Sequence, residues 1–448
     1  SSDLKKSEQV SVPDKGTTII AKVKPSLKER GNNGARRKEY FNLETCHHDI
    51  YPDAAEFKVE EGKKIRTTDC IRYEFIPPRF IKHIYHQHYY ACKGTVYAGS
   101  LPAVPLLNSN YDASFIAGIL QLRYIYSMPV ERIIKLFAEH GFEMNKATAH
   151  GLIKKAAGLF DLVEDVLKET VLSDNYLSMD ESYYTVLTSD TNNQSGKSTA
   201  KGYIWAALAN HLKLVHFFYE NGSRSRKVLT GYLREDYRGA IQSDGLGNYK
   251  IIEKEAYPDA IRLSCFQHCK RKFLNITGNK DAEKIVRIIN RLYQNEHRIP
   301  PDWTACQILD YRNKYAPPIL KELKEELINI KNKKSTLPKS ELSKAINYTL
   351  NEYDALCNYI RSADYAPDNN AIERLMRYIS LSRRNSLFCG SHQGAKRAAL
   401  IYSLACSCRL NNINSFEYFK DLLTKLIDIN PNTDHETIRN LLPHKWQR

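Results

Sequence analysis

The stretch Tyr176-Leu-Ser-Met-Asp-Glu-Ser-Tyr-Tyr-Thr-Val-Leu187 decides how this chain is read. Its aromatic and β-branched residues favour a strand. Asp180 stands midway along it, among apolar and aromatic neighbours. A charge in that setting is costly unless it is paired, hydrogen-bonded or bound to a metal. Working outward, a polar loop runs from Thr188 to Ser198. Gly202-Tyr-Ile-Trp-Ala-Ala-Leu208 and Leu214-Val-His-Phe-Phe-Tyr219 then read as two more strands. Ser223 to Leu233 reads as a helix with a basic face. Gly239-Ala-Ile-Gln-Ser-Asp-Gly245 is a strand ending at Asp244, and Ala260-Ile-Arg-Leu-Ser-Cys265 is the next. Three early strands, a helix, a strand, a helix and a strand predict an α/β sheet.

A third acid lies far downstream. In Asp364 to Gly394, Glu373 sits in an amphipathic helix followed by Arg374, Arg377, Arg383 and Arg384. Taken singly, Asp180 and Asp244 read more readily as capping or salt-bridged residues. Taken with Glu373, three carboxylates of this kind suit the two divalent ions of a phosphoryl-transfer site, Mg²⁺ or Mn²⁺. Arg374, Arg377, Arg383, Arg384, Lys396 and Arg397 then read as phosphate clamps, since arginine binds phosphate bidentately. The competing reading is a solvated basic face with Glu373 paired to Arg377 across one helical turn.

Composition points the same way. The 448 residues carry 66 Lys and Arg against 51 Asp and Glu, a net charge of +15. That surplus favours a polyanionic partner, with affinity drawn from phosphate contacts and counterion release. Ten cysteines lack the spacing of a disulfide framework and read as reduced cytosolic thiols. No apolar run approaches the roughly 20 residues of a membrane span. Residues 1–38 lack the apolar core of a secretory signal and read as a flexible basic arm; the chain begins at Ser1, which leaves the native amino terminus open.

The expected organisation continues with a small β-rich module over 39–105. A helical region over 106–173 follows, in which Pro129 fits a first helical position, Gly141 a helix stop and Asn145 a cap. Two short helices about that glycine turn read either as a helix-turn-helix or as plain helical packing. Residues 174–275 form the first part of the α/β core and 276–362 a charged helical insertion. Residues 363–428 return to the core and 429–448 form a tail.

These residues carry a resemblance. Met179-Asp-Glu-Ser182, Gly202-Tyr-Ile-Trp205 and Gln242-Ser-Asp-Gly-Leu-Gly-Asn-Tyr249 are joined by Cys265-Phe-Gln-His-Cys-Lys-Arg-Lys-Phe273, Asp368-Asn-Asn370 with Glu373-Arg374, and Ser382-Arg-Arg-Asn-Ser-Leu-Phe-Cys-Gly-Ser391. In this order they resemble the transposases of the bacterial insertion sequence sixty-six family, from about residue 30 to the carboxyl end. The resemblance implies a ribonuclease H-like catalytic core, a mixed sheet with flanking helices, whose Asp-Asp-Glu triad falls on Asp180, Asp244 and Glu373. It further implies metal-dependent cleavage at element ends and strand transfer into target DNA. A homodimer on DNA, accessory proteins of the same element and a bacterial, nucleoid-associated cytoplasmic location belong to the same expectation. Ser182 stands where the family often has Thr, and Leu246 where it usually has Tyr; neither change removes a metal ligand.

Many members carry two Cys-x-x-Cys pairs in the amino-terminal module. Here the matching places hold Cys46-His-His-Asp49 and Cys92-Lys-Gly-Thr95. Cys46, His47 or His48, and Cys92 supply three ligands at most without His83, His86 or His88. A tetrahedral site needs four, so a module folded without zinc is expected. Cys265, His268 and Cys269 have no second pair nearby. They read as a strand-to-helix turn, with Lys270, Arg271 and Lys272 facing solvent or phosphate and His268 a candidate phosphate contact. Two other functions remain open: a non-catalytic DNA-binding protein descended from a transposase, and a nuclease of the same fold that does not join strands.

Overall fold

A computed structural model describes residues 79–92, 95–107, 109–187, 199–245, 247–250, 257–430 and 432–447. The basic arm, most of the expected β-rich module and the 188–198 loop lie outside the described residues. All described residues belong to one unit, Pro78–Arg448.

The chain enters through a two-stranded antiparallel ribbon, β1 (Tyr89–Cys92) and β2 (Thr95–Ala98). Helices α1 (Ala113–Tyr124), α2 (Val130–Glu139) and α3 (Lys146–Leu172) follow. Asp112 and Asn145 cap α1 and α3 by accepting the amides of Phe115 and Thr148. Pro129 stands as the cap of α2 with extended backbone, one place ahead of the expected position. Gly141 takes a positive φ of 81° at the stop after α2. The expected pair of short helices is corrected at its second member. α3 runs 27 residues, and its face from Ala149 to Leu172 is buried in the core along its whole length.

The sheet comprises β3 (Tyr176–Leu187), β4 (Thr199–Ala209), β5 (Leu214–Phe218), β6 (Ala240–Gln242) and β7 (Ile261–Leu263). Helix α4 (Arg226–Tyr232) lies between β5 and β6. The strand order is β5-β4-β3-β6-β7. The first three strands are antiparallel; β6 runs parallel to β3, and β7 parallel to β6. It is a mixed sheet, flanked by helices that make up most of the rest.

After β7 come α5 (Phe266–Leu274), α6 (Lys280–His297), α7 (Ala305–Lys331), α8 (Glu341–Asn351) and α9 (Tyr353–Cys357). They build a second apolar core that also takes in Tyr176, Ala240 and Leu263 of the sheet. A buried ion pair, Arg262 to Glu352 at 2.6 Å, ties β7 to the end of α8. The chain then returns through α10 (Asn370–Asn385), α11 (His392–Leu410), α12 (Ser415–Lys425) and α13 (His435–Arg439). These helices share the first core with the sheet and with α1 to α3.

Helix α11 closes the β5 edge. Ser403 and Ser407, one helical turn apart, accept the outward amides of Phe217 (2.8 Å) and Val215 (3.0 Å). An edge whose donors are satisfied in this way does not template further strands. Among the described residues, no helix is long and apolar enough to cross a membrane.

Candidate metal and nucleic-acid site

The parallel register of β3 and β6 sets two of the acids beside each other. Leu177 pairs with Ile241 and Ser178 with Gln242. Two residues beyond this last pair stand Asp180, still within β3, and Asp244, just past the end of β6. Asp180 is half-buried, and one carboxylate oxygen accepts the amide of Glu181 at 2.9 Å. Burial, and then the negative charges of Glu181, Asp244 and Glu373, push its carboxyl well above the ordinary range.

Glu373 arrives on an arm stitched to both aspartate strands. Gln242, two residues before Asp244, donates to the carbonyl of Ala366 at 2.9 Å. The Tyr176 hydroxyl donates to Gln242 and accepts the Ala366 amide. Asn369 is buried at the start of α10 and donates its side-chain amide to the carbonyl of Met179 at 3.0 Å, one residue before Asp180. The Phe266 amide donates to Pro367 at 3.0 Å, and the Asn369 amide reaches the Cys265 sulfur. Glu373 then falls one turn into α10. Asp180, Ser182, His268, Glu373, Met376, Arg377 and Ser380 line one open cleft of about 250 Å³.

Glu373 lies 3.5 Å from His268 Nδ1 and 3.7 Å from Arg271. The histidine approach is close in charge terms but not aligned as a hydrogen bond. Glu373 Oε1 and His268 Nδ1 are both buried without a hydrogen-bond partner. A buried carboxylate oxygen lacking a donor, in a cleft where like charges gather, fits a hard divalent cation. Cys265 completes a group with His268 and Glu373 whose ligand atoms lie within 4.8 Å of one another. Burial, above all, pushes the Cys265 thiol up to about 12, and sulfur, a soft donor, suits a hard cation such as Mg²⁺ poorly.

The expected phosphate clamps divide. Arg377 lines the cleft, and Arg374 is exposed on the same helix. Arg383 is half-buried and bonds to Ser182 Oγ (2.8 Å) and the Tyr183 carbonyl (2.6 Å), bracing β3 instead of standing free; Arg384 beside it is exposed. Lys396 reaches Glu164 on α3 at 3.7 Å and, like Arg397, does not line the cleft. On α5, Arg271 faces Glu373, while Lys270 and Lys272 lie over the rings of Tyr293 and Tyr348.

Sequence reasoning left Glu181 without a role. Alternation sends it to the opposite face of β3 from Asp180. There its carboxylate is 2% exposed, takes two hydrogen bonds from Arg224 (2.7 and 3.0 Å) and one from Tyr249 (3.0 Å). Burial raises the Glu181 pKa, against the lowering effect of the Arg224 bond. Tyr348 of α8 was equally unforeseen. Its hydroxyl accepts the Gly245 amide at 3.1 Å, and a Cβ at Gly245 would overlap its ring. The helical insertion thus holds the turn that carries Asp244. Of the zinc candidates, Cys46, His47 and His48 lie outside the described residues, Cys92 ends β1, and His83, His86 and His88 are exposed.

Comparison with known proteins adds a family. The model described as Transposase IS66 family matches residues 108–397, more than half of the chain. Two uncharacterized proteins of Sinorhizobium fredii (strain NBRC 101917 / NGR234) are similar over most of this chain. For y4jD the identity is 26% over 371 residues, covering 80% of this chain and 70% of that protein. For y4hP it is 24% over 365 residues, covering 75% and 62%, so the chain spans less than two thirds of that relative. Among solved structures, a chain of the Drosophila P element transposase strand transfer complex aligns with a TM-score of 0.38 and 11% identity. That alignment covers 66% of this chain and 92% of the other.

Proposed function

The chain belongs to the IS66 transposase family, and from that premise we propose that it is a metal-dependent DNA transposase with Asp180, Asp244 and Glu373 as its catalytic acids. We take the sheet to be of ribonuclease H type. The support is its strand order, three antiparallel strands followed by two parallel ones.

The observation that carries the reading is geometric. Asp180 and Glu373, 193 positions apart, line one cleft, and the Gln242–Ala366 bond ties the strand that leads to Asp244 to the same arm. Carboxylates brought together in this way, with one Glu373 oxygen buried and lacking a hydrogen-bond donor, suit a divalent cation. When bound, Mg²⁺ or Mn²⁺ would supply Lewis-acid stabilisation of the attacking and leaving oxygens. The chain's own residues do the rest. Asn369 and Gln242 hold the Glu373 arm against the two aspartate strands. Arg377, Arg374 and Arg271 neutralise and orient phosphate. Water attack on a phosphodiester at the element end breaks the P–O3′ bond and leaves a 3′-hydroxyl. That hydroxyl then attacks a target phosphodiester, joining the strands and releasing a target 3′-hydroxyl. Two ends must be brought together, so the working form is a homodimer on DNA, with accessory proteins of the element as further partners.

The test is Asp180→Ala or Glu373→Ala. Either variant should abolish strand cleavage while retaining DNA binding. Wild-type cleavage by either one removes the triad. Cleavage by the native chain without joined products would favour a nuclease, and DNA binding with no metal-dependent cleavage a purely binding descendant.

A further inference from the structure

The motif Ser382-Arg-Arg-Asn-Ser-Leu-Phe-Cys-Gly-Ser391 is not absorbed by the catalytic acids. At its centre, Leu387 is 76% exposed and Phe388 50% exposed. Their backbone is nonetheless tied down on both sides. The Leu187 amide donates to the Cys389 carbonyl and the Cys389 amide to the Thr185 carbonyl, both at 2.8 Å, which adds a bridge to the end of β3. Ser386 is held by the Ser382 carbonyl at 2.7 Å and by the Arg123 guanidinium on its hydroxyl at 2.8 Å. Asn385 donates to the Ser127 carbonyl at 2.9 Å. Two large apolar side chains held on such a frame, facing water, mark an interaction surface.

The surroundings say what the partner is. Exposed Arg384 stands three positions before Leu387, and α10 carries Arg377 back along the cleft to Glu373. Leu387 lies fourteen positions after Glu373, and Leu187 seven positions after Asp180. Helical and strand rise both convert that spacing to about 20 Å. This is under one turn of duplex, so a single DNA segment can touch the acids and the loop together. Arginines beside an exposed leucine and phenylalanine match a polyanion with an apolar, stacked interior.

We propose that Leu387 and Phe388 form a wedge that inserts between base steps of the duplex lying in the cleft. Unstacking costs energy that depends on the step, which makes deformable or mispaired steps favoured. This inference rests on the transposase reading but is tested by binding alone.

The full chain is titrated, in EDTA, against a mixed-sequence duplex of about three helical turns. A second titration uses the same duplex with two adjacent central mismatches and 2-aminopurine beside them. The native chain should prefer the mismatched duplex roughly ten-fold and raise the 2-aminopurine fluorescence. Leu387→Ser with Phe388→Ser should bring the ratio near one, whereas Leu387→Met with Phe388→Tyr, which keeps the bulk, should retain it. Equal binding of both duplexes by the native chain, or an undiminished preference in the serine variant, overturns the wedge. A change of oligomeric mass in the serine variant without DNA also overturns it, by making the loop a protein interface. Failure of the native chain to bind either duplex instead defeats the transposase reading beneath it.

Discussion

Asn369 donates its side-chain amide to the carbonyl of Met179 across 3.0 Å, binding the first residue before α10 to the residue before Asp180. That bond sets the helix carrying Glu373 against the strand carrying Asp180. Replacing Asn369 by Ala leaves a buried carbonyl without its donor, a cost of about 1–3 kcal/mol. Strand cleavage should fall by roughly 100-fold, because small displacements of catalytic groups are expensive. Thermal unfolding and a nicking assay on the same preparation check both effects. Unchanged cleavage with a lowered midpoint would make the bond structural only.

The turn after Asp244 gives a second prediction. Gly245→Ala drives a methyl group into the Tyr348 ring and displaces Asp244. Cleavage should drop by at least about ten-fold. Adding Tyr348→Leu removes the ring and should recover part of the activity. An inactive single variant that the second change does not rescue contradicts this account of the turn.

These two contacts show what was legible in the chain and what was not. The strand over Tyr176–Leu187, the cap Asn145 and the α/β character follow from local patterns of alternation and capping. β6 and β7 have three residues each, shorter than the stretches 239–245 and 260–265 read as strands, because pairing stops before Asp244 and Ser264. Gln242, Asn369 and Tyr348 act through partners more than 100 positions away, and no local period announces such partners. Glu181 escaped notice for another reason. A Glu beside an Asp reads as one acidic pair, yet alternation sends the two to opposite faces. Lys396 shows the converse: a cation in a basic run is committed by its helix face to Glu164.

Titration gives a third prediction. Asp180 and Glu181 have raised pKa values in the folded chain, so their contribution to stability is fully present below their unfolded pKa and is lost as pH rises through the folded values. Added Mg²⁺ or Mn²⁺ should therefore raise the unfolding midpoint more at pH about 8 than at pH about 5, where protons compete for the carboxylates. Asp180→Asn should lose most of that metal-dependent shift. Equal shifts in both proteins would place the ion elsewhere.

His211 supplies an independent pH signature. Its ring lies between Asp174 at 2.6 Å and Asp364 at 3.3 Å, joining the start of β3 to the beginning of the Glu373 arm. Burial lowers its pKa, but the bonds and charges of Asp174 and Asp364 outweigh burial and leave it raised. The clasp therefore stabilises fully below the ordinary histidine value of about 6.5 and fades as pH rises through the folded value. Unfolding midpoints measured across that window should slope downward in the native chain and flatten in His211→Gln. An unchanged slope would assign the pH dependence to other groups.

The most direct test of the central claim is anomalous scattering from crystals grown with Mn²⁺. The account predicts manganese density bounded by the carboxylates of Asp180, Asp244 and Glu373, and its loss in Glu373→Ala. Manganese bound elsewhere, with Glu373 turned out of the cleft toward solvent, would contradict it.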